Sequence, residues 1–293
     1  MNNRISFQTK LMVNYSFFTI ALLLALCFGF YIYNAYLFEK NSVNSLYQVV
    51  SKTSQQLDNC VNEMDKISIQ VISDEDLMRA LTNISLTGIA DSNDIRILND
   101  ALVVKVQAIY RDNIYRTSIF NSYGYYFTSR LYDELDHNVA EKISKLDWVR
   151  EARKRNGSKY LLLPHVDNWV SAGGADIFSL VRLIRNPGKE VGFIEIQQYT
   201  TKLKEICNIN DSSISRVMIV DQSGKLVFSK FKTTPQEIQY YTKIIQKTPP
   251  QKHTVEIKSL TGASEIISFQ PSEYTGWKVI AVQNKKNYWR HYW

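Results

Sequence analysis

The chain has 293 residues, which is enough for one large domain or two modest ones, each with a hydrophobic core. Hydrophobic residues make up 45% and charged residues 22% of the sequence, a composition typical of a folded protein that excludes intrinsic disorder. The formal net charge is +7, but the longest basic run is Arg153–Arg155 and acidic residues are interspersed throughout. Because nucleic-acid-binding proteins concentrate their basic residues on one face, the sequence argues against nucleic acid as a partner.

The first predicted element is a membrane-spanning helix over residues 11–38, which carry no charged side chain. About 20 mostly apolar residues suffice to cross a bilayer. The C-terminal end of this stretch has an aromatic cluster typical of a membrane interface: Tyr31, Tyr33 and Tyr36. A cleaved signal peptide is the alternative, but its apolar region spans about 7–15 residues and ends in small residues. Bulky residues stand at that place here, which favours an uncleaved anchor.

The short tail before this helix indicates its orientation. Residues 1–10 contain Arg4 and Lys10 and no acidic residue. Because cytoplasmic flanks are enriched in basic residues, we expect a cytoplasmic N-terminus in a single-pass protein of the cell membrane. Everything after the membrane helix is then extracellular.

A long amphipathic helix is predicted next, within a stalk region over residues 39–89. No glycine interrupts it before Gly88, and apolar side chains recur at spacings of three and four from Leu46 to Val71. At about 1.5 Å per residue, a helix over residues 40–72 would reach roughly 48 Å. Such a rod, continuous with a membrane helix, is suited to mechanical transmission.

The following segments mix helices and strands. Ser73 is expected to cap a second helix, and residues 94–113 are predicted to form a third. Residues 117–130 are typical of two strands around a glycine turn. A helix over residues 142–157, which ends at a glycine, is followed by a strand and then by a hairpin over residues 177–199.

A second series repeats this order. Residues 216–230 are predicted to form a hairpin, residues 234–247 a helix, residues 253–260 a strand and residues 264–284 a closing hairpin. At an offset of 100 positions, the first of these hairpins aligns with residues 117–130. Repetition of a whole supersecondary order indicates two related modules, so the predicted fold class is α+β.

The whole arrangement resembles the double Cache sensor domain of bacterial receptors, which has two PAS-like modules with antiparallel sheets. The stretch 50–81, the spacing of Trp148, Ala152 and Gly157, and the stretch 178–196 are similar to sensor histidine kinases paired with AraC-type regulators in Gram-positive bacteria. The resemblance implies a membrane-distal module and a membrane-proximal module, followed by a short tail: residues 90–204, 205–284 and 285–293.

The sequence departs from these kinases in its output. Such kinases continue into a second membrane helix, a HAMP linker and a catalytic part, but no nucleotide-binding motif is found here. His291 stands in no context that resembles a phospho-accepting helix. We therefore expect a sensor without enzymatic activity, as a sensor-only product, a truncated gene product or a fragment.

The resemblance implies a ligand pocket over the central sheet of the distal module. The candidate ligand-binding residues are Tyr126, Trp148, Asp167, Trp169 and Arg182. Aromatic faces would stack on a polar organic ligand, while a carboxylate and a guanidinium would orient it. Each also has a structural alternative: the two tryptophans as core residues, and Arg182 as the partner of an acid.

The identity of the ligand is only partly indicated. Double Cache receptors for amino acids carry an arginine two residues before the helix tryptophan and a tyrosine directly after it. Leu146 and Val149 stand at these places, which argues against an α-amino acid. A sugar or oligosaccharide is favoured, because related kinases often accompany carbohydrate uptake systems.

No cofactor and no metal site is predicted. The four histidines form no pair at ligand spacing, and the acids of residues 133–136, with Asp167, are typical of surface loops. Cys27 lies in the membrane segment, so Cys60 and Cys207 are the one possible disulfide pair, with two unpaired thiols favoured.

The expected function is ligand sensing for a two-component histidine kinase, with a homodimer that transmits binding through the stalk helix. The alternatives are the sensor region of a chemoreceptor or of a cyclic-dinucleotide enzyme. A third alternative is a membrane-anchored surface protein that only binds a partner.

Overall fold

The computed structural model describes residues 7–107, 114–130, 139–170, 173–209 and 214–285. Its first element, helix α1 (Phe7–Ile72), runs without a break for 66 residues, or roughly 100 Å at about 1.5 Å per residue. The predicted membrane segment and the helix predicted over residues 40–72 are therefore one continuous rod. From Lys10 onward α1 is long and apolar enough to cross a membrane. Its side chains over residues 11–34 are exposed, as those of a lipid-facing helix would be.

The C-terminal half of α1 is buried along one side. The predicted apolar stripe lies in the core, where its main members are at most 2% exposed: Leu46, Val50, Leu57, Met64 and Ile67. One continuous hydrophobic cluster joins this stripe to residues of both sheets. Tertiary packing thus fixes α1 along the side of the folded region.

Two short helices follow, α2 (Glu75–Thr87) and α3 (Ser92–Asn99), and α3 continues into a π-helical segment, Asp100–Gln107. The cap of α2 is Asp74, whose side chain accepts from the backbone N–H of Leu77 at 3.1 Å. The prediction of Ser73 as the cap is wrong, because the N–H of Ser73 still belongs to the last turn of α1. Some of the helix predicted over residues 94–113 lies outside the described residues.

The first sheet has five antiparallel strands in the order β2-β1-β5-β4-β3. These are β1 (Arg116–Phe120), β2 (Tyr126–Thr128), β3 (Tyr160–Val166), β4 (Asp176–Asn186) and β5 (Lys189–Tyr199). Helices α4 (Val139–Lys145) and α5 (Asp147–Lys154) replace the single helix predicted over residues 142–157. The break lies at Leu146, whose backbone is extended, and it allows Ile143 and Val149 to share one cluster on the sheet.

The second sheet repeats the order of the first, as β7-β6-β10-β9-β8. Helix α6 (Thr200–Ile206) precedes it, and α7 (Pro235–Lys247) lies between its second and third strands. The strands are β6 (Ile214–Val220), β7 (Leu226–Ser229), β8 (Thr254–Lys258), β9 (Ser264–Pro271) and β10 (Lys278–Asn284). The fold is therefore α+β, with a long N-terminal apolar helix and two antiparallel sheets, as predicted.

The two hairpins aligned in the sequence share one turn geometry. The side-chain oxygens of Asn121 and Asp221 accept from the backbone N–H four residues further on, at 3.2 and 2.8 Å. Gly124 and Gly224 close the turns with φ of 92° and 85°, a region that favours glycine. The offset of 100 residues is thus a structural repeat.

All three cysteines are free. Cys60 and Cys207 are buried, and burial raises the pKa of the Cys60 thiol to about 11 and that of Cys207 to about 12. Cys60 and Cys207 are therefore two unpaired thiols, which is the alternative that the sequence favoured.

Candidate functional site

One face of the first sheet packs on α1, and the opposite face carries polar side chains. Ile119, Ile194 and Ile196 lie in the same hydrophobic cluster as α1. Because side chains alternate along a strand, their neighbours point the other way. Three directly opposed pairs on β1 and β5 form what we call the polar face: Arg116 and Gln197, Ser118 and Glu195, and Phe120 and Phe193.

The loop after β3 covers the polar face. Asp167 stabilises this loop, since its Oδ1 accepts from the backbone N–H of Trp169 at 3.1 Å. The indole ring of Trp169 lies 4.8 Å from the ring centroids of both Phe120 and Tyr126. Asp167 and Trp169 are each 3% exposed, so the loop closes over the sheet here.

A buried ion pair joins this loop to the sheet. Arg116 Nη2 donates to Asp167 Oδ2 at 2.6 Å, and both side chains have no exposed surface. The hydroxyl of Tyr115 lies 3.3 Å from the same carboxylate oxygen. Burial alone would lower the pKa of Arg116, but the adjacent Tyr126 and Asp167 oxygens outweigh it and raise that pKa. Arg116 is therefore a cation whose charge Asp167 neutralises.

Glu195 is a second buried acid, 1% exposed, on the central strand β5. Its Oε2 accepts from Trp169 Nε1 at 2.6 Å, and no basic side chain among the described residues lies within ion-pair distance of it. Next to it, Gln197 Nε2 donates to Asp167 Oδ1 at 3.4 Å. Within the described ranges, Gln197 Oε1 and the hydroxyl of Ser179 have no hydrogen-bond partner.

The structure brings four of the five predicted ligand-binding residues to the polar face. Asp167 and Trp169 lie in its covering loop, and the Tyr126 hydroxyl is 2.6 Å from Ser118 Oγ. Burial raises the pKa of Tyr126, so this hydroxyl keeps its proton. Trp148, from α5, packs edge-on against Phe120 with 5.5 Å between ring centroids.

The fifth predicted residue, Arg182, lies on the opposite side of the sheet. It forms an ion pair with Asp65 of α1, and its Nε and Nη1 donate to Ser68 Oγ and Gly157 O at 2.9 and 2.8 Å. The reason is its place on β4, where Val181 and Leu183 alternate with it. The structural alternative, pairing with an acid, is what is observed.

Other residues of the polar face were missed in the sequence. Glu195 and Gln197 could have been found, because two polar residues at alternate positions interrupt an otherwise apolar strand. Arg116 carries no such signal, since one arginine at the start of a strand is ordinary. The acids of residues 133–136, which were expected in a surface loop, lie outside the described residues. In the portion of the chain that the structure describes, no group of three or more His, Cys, Asp or Glu side chains is placed to hold a metal ion.

The corresponding face of the second sheet differs in its central strand, although it also holds a buried acid, Glu265, which pairs with Arg216. Arg216 and Met218 of β6 occupy the places of Arg116 and Ser118, and Val282 and Ile280 stand opposite them. Apolar residues thus replace both Gln197 and Glu195. Helix α7 closes this face directly, with Tyr241 and Ile245 in the same hydrophobic cluster.

The described fold is similar to solved sensor domains. The ligand-binding domain of the chemoreceptor Tlp3 of Campylobacter jejuni, solved with L-valine, has a TM-score of 0.64 and 12% sequence identity, over 86% of this chain and 96% of that one. The ligand-binding domain of the chemoreceptor CtaA of Pseudomonas fluorescens, solved with L-isoleucine, has a TM-score of 0.57 and 15% identity, over 88% and 98%.

Comparison of the sequence with protein-family models and with curated protein sequences found no match. The structural similarity nevertheless extends over nearly the whole of the solved domains. The chain therefore has the fold of a Cache-type sensor domain.

Proposed function

We propose that the chain is the ligand-sensing region of a membrane-anchored receptor, with the polar face of the first sheet as its ligand site. The observation that carries this proposal is the comparison of the two sheets. In the second sheet, Val282 and Ile267 are directly paired at the positions that correspond to Gln197 and Ser179. This fold can therefore pack with apolar residues at these positions. The first sheet has the buried pair Gln197 and Ser179 at these positions, although burying polar groups costs stability. A ligand that satisfies them accounts for that cost.

The same sheet offers a route for transmission. Val181 and Leu183 of β4 lie on the polar face, while Arg182 between them is bonded to α1 through Asp65. A ligand on one side of the strand and the stalk helix on the other therefore contact the same backbone. We propose that binding shifts α1 relative to that of a second copy in a homodimer, and so changes the output.

The output that we propose is a two-component histidine kinase, and its support is the sequence resemblance over stretches 50–81 and 178–196. A chemoreceptor output is the second candidate, favoured by the solved domains, which come from chemoreceptors. The proposal also includes a distal module over residues 90–204, a proximal module over residues 205–284, and an extracellular position for both.

Thermal unfolding of the full chain in lipid nanodiscs tests the ligand site. We expect members of a panel of sugars, amino acids and amines to raise the unfolding temperature, as any ligand specific to the native state must. Gln197→Val reproduces the residue of the second sheet and should abolish the shift while keeping the fold. Gln251→Val, at an exposed position, is the control and should retain it. A panel without effect, or an unchanged shift in Gln197→Val, would contradict the proposal.

A further inference from the structure

The charges on the polar face do not balance. Arg116 and Asp167 neutralise each other at 2.6 Å, with both side chains fully buried. Glu195 is almost as deeply buried, and its described contact is the neutral indole N–H of Trp169. A buried carboxylate without a cation is costly, because low-dielectric surroundings do not replace its hydration. Among the described residues, the Glu195 carboxyl therefore has one hydrogen-bond donor and no cation within ion-pair distance, so that a cationic ligand would supply its missing partner.

The groups around Glu195 fit a cation that also donates hydrogen bonds. Gln197 Oε1 is a buried acceptor without a partner among the described residues, two positions along the same face. The rings of Phe120, Tyr126 and Trp169 lie together within a few ångströms of one another on this face. Aromatic faces attract organic cations through their quadrupole, most strongly when water is excluded.

On these grounds we infer that the site binds an organic ammonium ion without a carboxylate group. The inference rests on the proposed ligand site and names its ligand class. An α-amino acid would bring a third carboxylate to a face where the guanidinium groups of Arg116 and of Arg153, which lies over the Phe193 ring, are already paired with acids. The hydroxyl groups of a neutral sugar could donate hydrogen bonds to Glu195, but they would not supply a cation for its carboxylate.

Isothermal titration calorimetry of the full chain in nanodiscs tests the ligand class with pairs of matched probes. Choline is compared with its uncharged analogue, in which a tert-butyl group replaces the trimethylammonium group, and isopentylamine is compared with isopentanol. We expect at least one amine to bind about tenfold or more tightly than its uncharged partner. L-leucine, which is isopentylamine with an added carboxylate, should bind more weakly than isopentylamine.

Glu195→Gln is the decisive variant, because it keeps an acceptor for Trp169 and removes only the charge. Its Kd for the amine should rise to that of the uncharged analogue. Glu190→Gln makes the same change on the same strand, at a partly exposed pair with Arg153, and should bind as wild type does. The inference is overturned if no amine binds, if the uncharged probes bind equally well, or if Glu195→Gln is without effect. A sugar or amino acid whose binding Gln197→Val abolishes would overturn the ligand class and leave the proposed site in place.

Discussion

The pair Arg116–Asp167 is the residue contact on which the polar face depends most. Removing one member of a buried ion pair leaves an uncompensated charge, so Asp167→Leu should lower the free energy of unfolding by about 3–5 kcal/mol. The double variant Arg116→Met/Asp167→Leu removes both charges and should recover some of this loss. Denaturant unfolding in nanodiscs, followed by tryptophan fluorescence, measures both.

The exposed pair Arg79–Asp76 supplies the control for this experiment. Its side chains are 69% and 60% exposed, so Asp76→Asn should change the free energy of unfolding by less than about 1 kcal/mol. If Asp167→Leu were as mild as Asp76→Asn, or if the double variant were the less stable one, the buried pair would not have the role assigned to it.

A substitution at Trp169 distinguishes the contribution of its hydrogen bond to Glu195 from that of its aromatic packing. A Trp169→Phe variant keeps a ring near Phe120 and Tyr126 but removes the N–H that donates to Glu195. Because a buried acceptor then loses its donor, we expect the free energy of unfolding to fall by about 1–3 kcal/mol. The same denaturant experiment measures it, with Trp148→Phe as the matched control. Equal losses in the two variants would show that ring volume matters and the bond does not.

At the scale of elements, features that depend on local interactions were predicted better from the sequence than features that depend on contacts between distant residues. The hairpin turns follow from short polar stretches that end in a glycine, such as Asn121–Gly124, and all of their hydrogen bonds are local. The partner of Arg182 is 117 positions away in the sequence, so no local pattern could identify it. The extended backbone at Leu146 likewise depends on packing against the sheet. Four of the candidate residues that the resemblance implied lie at the polar face, whereas the buried strand residues Glu195 and Gln197 were missed.

One carboxylate on α1 joins three elements. Asp65 accepts from Lys159 before β3, from Arg182 on β4, and from the Tyr274 hydroxyl in the β9–β10 connection, at 3.0 Å for Lys159 and 2.6 Å for Tyr274. Lys159 also lies 3.2 Å from the Tyr274 ring centroid. The stalk helix is thus joined to β4 and to the second sheet through one side chain.

The stability conferred by this junction should depend on pH. Burial alone would raise the pKa of Asp65, but the hydrogen bonds from Tyr274, Lys159 and Arg182 outweigh it and hold that pKa below its ordinary value. A carboxylate of this kind stabilises the fold above its unfolded pKa and loses that effect as the pH falls through its folded pKa. We expect Asp65→Asn to be less stable than wild type at neutral pH. The difference in unfolding temperature should narrow below about pH 4.

Thermal unfolding of both proteins in nanodiscs across this pH range checks the expectation. Asp76→Asn serves again as the control, because its exposed carboxylate should leave the pH profile close to that of wild type. A gap between wild type and Asp65→Asn that stays constant on acidification would show that the charge of Asp65 does not hold the junction.

At the scale of the whole molecule, the two sheets are copies with the same strand order and different side chains on one face. The repeat in the sequence predicted that both copies have the same order of elements along the chain, and the two sheets also share one strand order. It did not identify the face on which the two copies differ, since this depends on which side of each strand meets α1. The hydrophobic cluster that runs from α1 into both sheets joins the two sheets to a single rod. The proposed transmission along α1 requires that its N-terminal end lie in the membrane.

The orientation of that rod is the last prediction, and cysteine labelling in intact bacterial cells tests it. The wild type supplies a low background, because Cys60 and Cys207 are buried and Cys27 lies in the apolar segment. Gln251→Cys, exposed beside the second sheet, should react with a membrane-impermeant maleimide in intact cells. Gln8→Cys, on the flank that carries Lys10, should react only after the cells are permeabilised, since basic flanks stay in the cytoplasm. The reverse pattern would place both sheets in the cytoplasm, where they could not sense an extracellular ligand. Labelling at neither position before permeabilisation would contradict the extracellular position equally.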